Sequence, residues 1–130
     1  MAQRKPKIEL ARAYDPPAPD RSFRVLVDRL WPRGVKKEDL PIDAWAKELA
    51  PTTELRRWFN HDPQRWDEFR KRYFRELQDN EGKVSELLEA AGRRPILLLY
   101  GARDQQHNQA VALKQWIEKH AAELKPQSKE

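Results

Sequence analysis

A chain of 130 residues fits one domain with its own core, and the lack of cysteine removes disulfides, thiolate metal ligands and thiol nucleophiles together. The formal charge is +5, but the first 65 residues carry 14 basic against 10 acidic side chains and the rest 12 against 11, so no long basic arm marks a dedicated nucleic-acid binder. No run approaches the roughly 20 apolar residues of a membrane span, and no signal-type stretch follows the basic N-terminus, so a cytosolic protein with no membrane contact is expected.

Residues 7–14, KIELARAY, alternate polar and apolar as a half-exposed edge strand does. The link DPPAPDRS has three prolines in eight residues, too short and stiff for a helical crossover, and predicts a hairpin-like return. Residues 23–28, FRVLVD, form a second strand ending at a carboxylate. Pro32 and Gly34 then bar regular structure, so Asp28, Arg29, Trp31 and Arg33 are presented from a loop.

Residues 35–92 carry helical signals and no further strand. Ile42, Trp45, Ala46 and Leu49 stand at helical spacing before Pro51, and TTELRRWF has a threonine cap and an apolar stripe of Leu55, Trp58 and Phe59. Asp62 and Pro63 start a helix with Trp66, Phe69, Tyr73 and Leu77 on one face; on its charged side Asp67 with Lys71 and Glu68 with Arg72 stand four apart. The basic run at 70–72 is read as solvated helix face. A break near 79–82 precedes a stripe of Val84, Leu87, Leu88 and Ala91, closed by Gly92. Ile96 to Leu99 leave no polar face and predict a strand covered on both sides, after which residues 107–124 form the last helix, burying Ala110, Leu113, Ile117, Ala121 and Leu124. The expected architecture is a single α/β domain over 1–130, a small mostly parallel sheet with an edge strand, flanked by helices, with 1–6 and 125–130 as frayed tails.

If the strands at 23–28 and 95–100 are parallel, their carboxyl ends share one sheet edge, where α/β folds place ligands, and the two polar turns converge. Asp28, Arg29, Arg33, Arg103, Asp104, His107 and Asn108 would then line one crevice walled by Trp31 and Tyr100. The arginines match carboxylate or phosphate forks, and His107 and Asn108 lie at a helix start, which favours an anion. A small phosphorylated or carboxylated ligand is the leading expectation; were the site catalytic, Asp28 or His107 would move the proton. Two other classes compete: a nucleic-acid-binding or regulatory module using the weakly basic surface, and a scaffold in which Asp28, Arg29, Arg103 and Asp104 form a structural salt-bridge network. Asn108 also reads as a helix cap, His107 as a cap or surface group, and Tyr100 and Trp31 as packing. His61, His107 and His120 are far apart with no ligand motif, so no metal is expected; no dinucleotide, P-loop or serine-hydrolase motif occurs, and no cofactor is implied.

The stretches VLVDRLWPRG, WAKELAPTTELRRWF, HDP and LLYGARDQQHNQA, in that order, resemble the YeaO-like family of bacterial domain-of-unknown-function proteins across nearly the whole chain. The resemblance implies a compact α/β domain with no assigned reaction, and its two hallmark turns fall on Asp28, Arg29, Pro32, Arg33 and Gly34 and on Tyr100, Arg103, Asp104 and Asn108. It also implies that the residue after the turn asparagine is commonly histidine, where this chain has Gln109, and that distant relatives carry cysteines in the second turn, where this chain has none.

Overall fold

Every residue of Ile96–Tyr100 is buried, and a strand with no polar face must be flanked by strands on its two edges and covered on its two faces. The computed structural model, which describes residues 6–123, satisfies both demands. Strands β1 (Ile8–Arg12), β2 (Phe23–Leu26), β3 (Ala44–Trp45) and β4 (Ile96–Tyr100) lie in the order β1-β4-β2-β3, and all pairings are parallel. The strand made last in the chain is therefore the one between the first two. Ile8 is opposite Ile96 and Arg12 opposite Tyr100 on one side; Phe23 faces Ile96 and Leu26 faces Leu99 on the other.

The hairpin-like return expected after β1 is corrected: β1 and β2 run the same way, with β4 between them. Ten residues separate the two strands, and at about 3.3 Å per extended residue the proline-rich link spans twice the strand length without any helix. The prolines thus make an extended return path. The edge position of β1 is as expected.

Alternation along the strands sorts the core. Phe23, Val25, Ile96, Leu98 and Tyr100 point into a cluster with α1 (Thr53–Phe59), α2 (Trp66–Asp79), α3 (Glu81–Ala91) and α4 (Gln109–His120). Leu26, Leu97 and Leu99 point the other way, onto Ala13 and Leu40 with Trp31, Val35, Ile42 and Trp45. One face is covered by helices and the opposite face by the loops before and after β2.

The helix expected around residues 41–49 is also corrected. Ala44 and Trp45 form the short β3 beside β2, followed by a 3₁₀ turn at Lys47–Leu49. Beside the polar edge of β2, Asp43 N–H donates to the Arg24 carbonyl and Ala46 N–H to that of Leu26, while the Asp43 carboxylate accepts from Arg24 N–H at 2.8 Å. The chain crosses the sheet edge here, so Ile42 and Trp45 pack on the loop-covered face and Ala46 and Leu49 on the helix-covered one. Four residues at helical spacing end on two faces, which no helix could arrange.

The remaining helices form as their patterns require. Thr52 caps α1 by accepting from Leu55 N–H, and Asp62 caps the 3₁₀ turn of Pro63–Arg65 that leads into α2. Phe69, Tyr73 and Leu77 are buried, Trp66 only partly, and the Tyr73 hydroxyl donates to the Leu49 carbonyl at 2.5 Å. Glu68 pairs with Arg72 as expected, but Asp67 meets Arg70 at 2.8 Å rather than Lys71. α2 and α3 break at Asn80, and Gly92 closes α3 at a φ of 63°. α4 starts at Gln109, two residues later than expected, because Asn108 is its cap. The expectations for residues 1–5, for Leu124 and for 125–130 lie outside the described residues. Among the described residues no helix is long and apolar enough to cross a membrane.

Candidate functional site

The register that aligns β1, β2 and β4 brings their carboxyl ends to one level: Ala13 N–H donates to the Tyr100 carbonyl and Val27 N–H to that of Leu99. The turns that leave these strands must therefore meet. Asp28, two residues beyond β2, and Gly101, directly after β4, touch: the Asp28 Oδ2 accepts from Gly101 N–H at 2.8 Å. A Cβ on residue 101 would stand 2.8 Å from that oxygen, so only glycine allows the approach. The other carboxylate oxygen accepts from the Gln109 side-chain amide, so Asp28 ties the turn after β2 to both the turn after β4 and the start of α4.

Above this tie is a hollow of about 820 Å³. It is lined by Asp28, Arg29, Trp31, Arg33, Arg103, Asp104, His107 and Asn108, so all the sequence candidates but Tyr100 are on its wall. Tyr100 is 3% exposed and lies in the core cluster, off that wall.

Several of these side chains are spoken for. Arg29 donates to the carbonyls of Ala50 and Pro51 at 3.4 and 3.2 Å, while its Nε is buried with no partner. Trp31 donates to the Val35 carbonyl and sets its ring edge-on to Trp45, whose own indole donates to the Asp28 carbonyl. Asp104 accepts from Gln106 and His107 N–H and holds His107 Nδ1 at 2.9 Å; these contacts, backbone first, keep its carboxyl below the usual range. The His107 ring also stands edge-on to Trp66. Asn108 is buried, accepts from Val111 N–H and donates to the Asp104 carbonyl, so the tip of α4 is capped by the protein's own side chain. No ion pair joins the two turns among the described residues; the structural tie between them is the hydrogen-bonded Asp28.

Charge sets the character of the hollow. Desolvation is the largest influence on Asp28 and raises its carboxyl from 3.8 to about 6, against the pull of the Gly101 N–H, the Arg56 charge and the Gln109 amide. Five arginines line the space, Arg29, Arg33, Arg56, Arg57 and Arg103, against two carboxylates. Among the described residues no carboxylate lies at ion-pair distance from Arg33, Arg56, Arg57 or Arg103, although the Arg56 charge acts on Asp28; elsewhere Arg65, Arg70, Arg72 and Arg94 each meet one, while Arg12 and Arg24 donate to backbone carbonyls. No group of three His, Cys, Asp or Glu that could hold a metal ion occurs among the described residues.

Sequence reasoning missed Arg56, Arg57, His61, Tyr14 and Gln109 as wall residues. The arginines read as the outer face of a helix, and only the docking of α1 beside the β2 turn brings them here. His61 has a φ of 54° and its neighbour Asn60 one of 49°. Two successive left-handed residues, one of them not asparagine or glycine, are an uncommon turn, for which the Asn-His-Asp-Pro run was the available signal.

A family profile described as "Inactive DUF488-N3 subclade" matches residues 7–130. The chain is 42% identical over 110 residues to "Uncharacterized protein YeaO" of Escherichia coli (strain K12), covering 85% of this chain and 96% of that protein. It is 39% identical over 114 residues to "Uncharacterized protein Rv3073c" of Mycobacterium tuberculosis (strain ATCC 25618 / H37Rv), covering 88% and 96%. No solved structure matches it.

Proposed function

The chain belongs to the YeaO-like proteins of the inactive DUF488-N3 subclade, and from that premise we propose that the hollow at the carboxyl edge of its sheet binds a small phosphorylated or carboxylated ligand without turning it over. The observation that carries this reading is the excess of five arginines over two carboxylates around one space, with Arg33, Arg57 and Arg103 at ion-pair distance from no carboxylate among the described residues. Like charges held together repel one another, and an anion between them removes that cost while offering forks that match its oxygens. Arg33 and Arg103 contact the anion, Arg56 and Arg57 add field from α1, and Arg29 is a fixed wall.

Asp28 and His107 hold the two turns in place rather than transfer a proton here. Both oxygens of Asp28 already accept hydrogen bonds, and His107 Nδ1 is engaged by Asp104. The subclade's description as inactive is consistent with a pocket that holds rather than converts.

Calorimetric titration with ribose 5-phosphate tests the reading. Binding is expected, and loss of one charge-assisted hydrogen bond in Arg33→Ala or Arg103→Ala should weaken it about tenfold or more. A short oligonucleotide titrated in parallel should bind weakly and be unaffected by Arg33→Ala. No binding of the sugar phosphate by the folded wild type, or tight salt-sensitive oligonucleotide binding in its place, overturns the proposal.

A further inference from the structure

Two large apolar side chains are well exposed among the described residues, Tyr14 at 45% and Leu30 at 64%, and both line the arginine-rich hollow. Their placement is not incidental to the fold. Arg12, the last residue of β1, donates to the carbonyls of Gly101 and Ala102 at 3.1 and 3.0 Å, and its guanidinium lies 5.2 Å from the centre of the Tyr14 ring. The ring edge lies beside Gly101. Tyr14 is thus backed by an anchored cation on one side and left open on another. Leu30 follows directly on Arg29, which is fixed to the carbonyls before α1.

An inorganic anion would occupy only a small part of 820 Å³, a volume in the range that holds a ligand of drug size. It would also leave both apolar side chains in water. Resting on the anion-binding reading above, we infer that the ligand joins its anionic group to a planar apolar ring, as a nucleotide does, with the ring against Tyr14 and Leu30 and the anion among Arg33 and Arg103. Charge complementarity selects the anion, and an aromatic face already backed by Arg12 offers a stacking platform for a π-system. A single ring-bearing small molecule meets both demands within one hollow.

The test compares adenosine 5′-monophosphate with ribose 5-phosphate, which share phosphate and sugar and differ in the ring. Wild type is expected to bind the nucleotide about tenfold more tightly, the order of one base stacked on one aromatic side chain. Tyr14→Ala should bring that ratio near one, and Leu30→Ser, a second variant at an exposed position, should reduce it in the same direction. Arg103→Ala should weaken both ligands alike. Phenyl phosphate binding as tightly as the nucleotide supports the ring-bearing anion and assigns the source to aryl phosphates. Equal affinity of wild type for the two sugar phosphates overturns this inference while the anion reading stands; a folded wild type that binds neither overturns both. Tyr14→Ala or Leu30→Ser altering the sedimentation of the protein, with no ring preference in wild type, would assign the two side chains to contact with a second copy and overturn the inference as well.

Discussion

At the scale of single residues, Asp28 carries the most consequence, because it is both the tie between two turns and one of two carboxylates in a basic hollow. Its folded-state pKa of about 6 lies above the ordinary 3.8, so the folded protein holds this proton more tightly than the unfolded chain does. The ionised carboxylate therefore opposes folding above pH 6, by about 3 kcal/mol for a rise of this size, and the penalty is relieved as pH falls from 6 towards 4. Asp28→Asn keeps an oxygen for the Gly101 N–H, and a turned-over Gln109 amide can accept from the new side chain. The variant should gain on wild type by up to about 3 kcal/mol between pH 4 and 7 in urea unfolding, and parallel profiles for the two proteins would refute the account. The same protonation removes a negative charge from the hollow; since the phosphate's own second ionisation at about pH 6 affects both proteins alike, the ratio of wild-type to Asp28→Asn affinity for the sugar phosphate should rise as pH falls through 6. Asp28 was legible as a candidate from its place after a strand; its partner Gln109 was not, since nothing local says which turn a glutamine reaches.

Among elements, α4 shows how a cap and a site share the same residues. Asn108 satisfies Val111 N–H with its oxygen and the Asp104 carbonyl with its nitrogen, while buried to 2% exposure. Asn108→Ala should cost about 1–2 kcal/mol in chemical denaturation, and amide exchange at Val111 should quicken relative to Leu113 further into the helix. Unchanged stability would mean the cap is dispensable. The segment 41–49 is the instructive contrast. Its helical spacing was real and its structure is a short strand and a turn, because the exposed edge of β2 offered hydrogen bonds that the local pattern does not record. Where local pattern and tertiary demand agreed, as in α2 with its Asp62-Pro63 start and Phe69, Tyr73, Leu77 stripe, the element formed as its residues implied.

For the whole molecule, stability and site geometry depend on the same strand. β4 pairs with β1 and β2 and packs on both faces, and Leu98 at its centre is 0% exposed. Leu98→Ala should cost about 2–5 kcal/mol and lower the melting temperature accordingly, while Leu30→Ala on the rim should change stability by no more than about 0.5 kcal/mol. Comparable losses at the two positions would contradict their difference in burial. The sequence by itself located the strands that became β1, β2 and β4 and the helices α1 to α4, though not β3, placed a polar turn after each of two strands, and excluded thiol chemistry. Only the tertiary structure decided that β4 sits between β1 and β2, that the helices share one face, and that Arg56, Arg57 and Tyr14 join the two turns around one hollow. The physical reason is range: periodicity reports which side of an element is buried, whereas neighbours across a sheet are chosen by the backbone hydrogen bonds and apolar surfaces of residues 88 positions away, as Ile8 and Ile96 are.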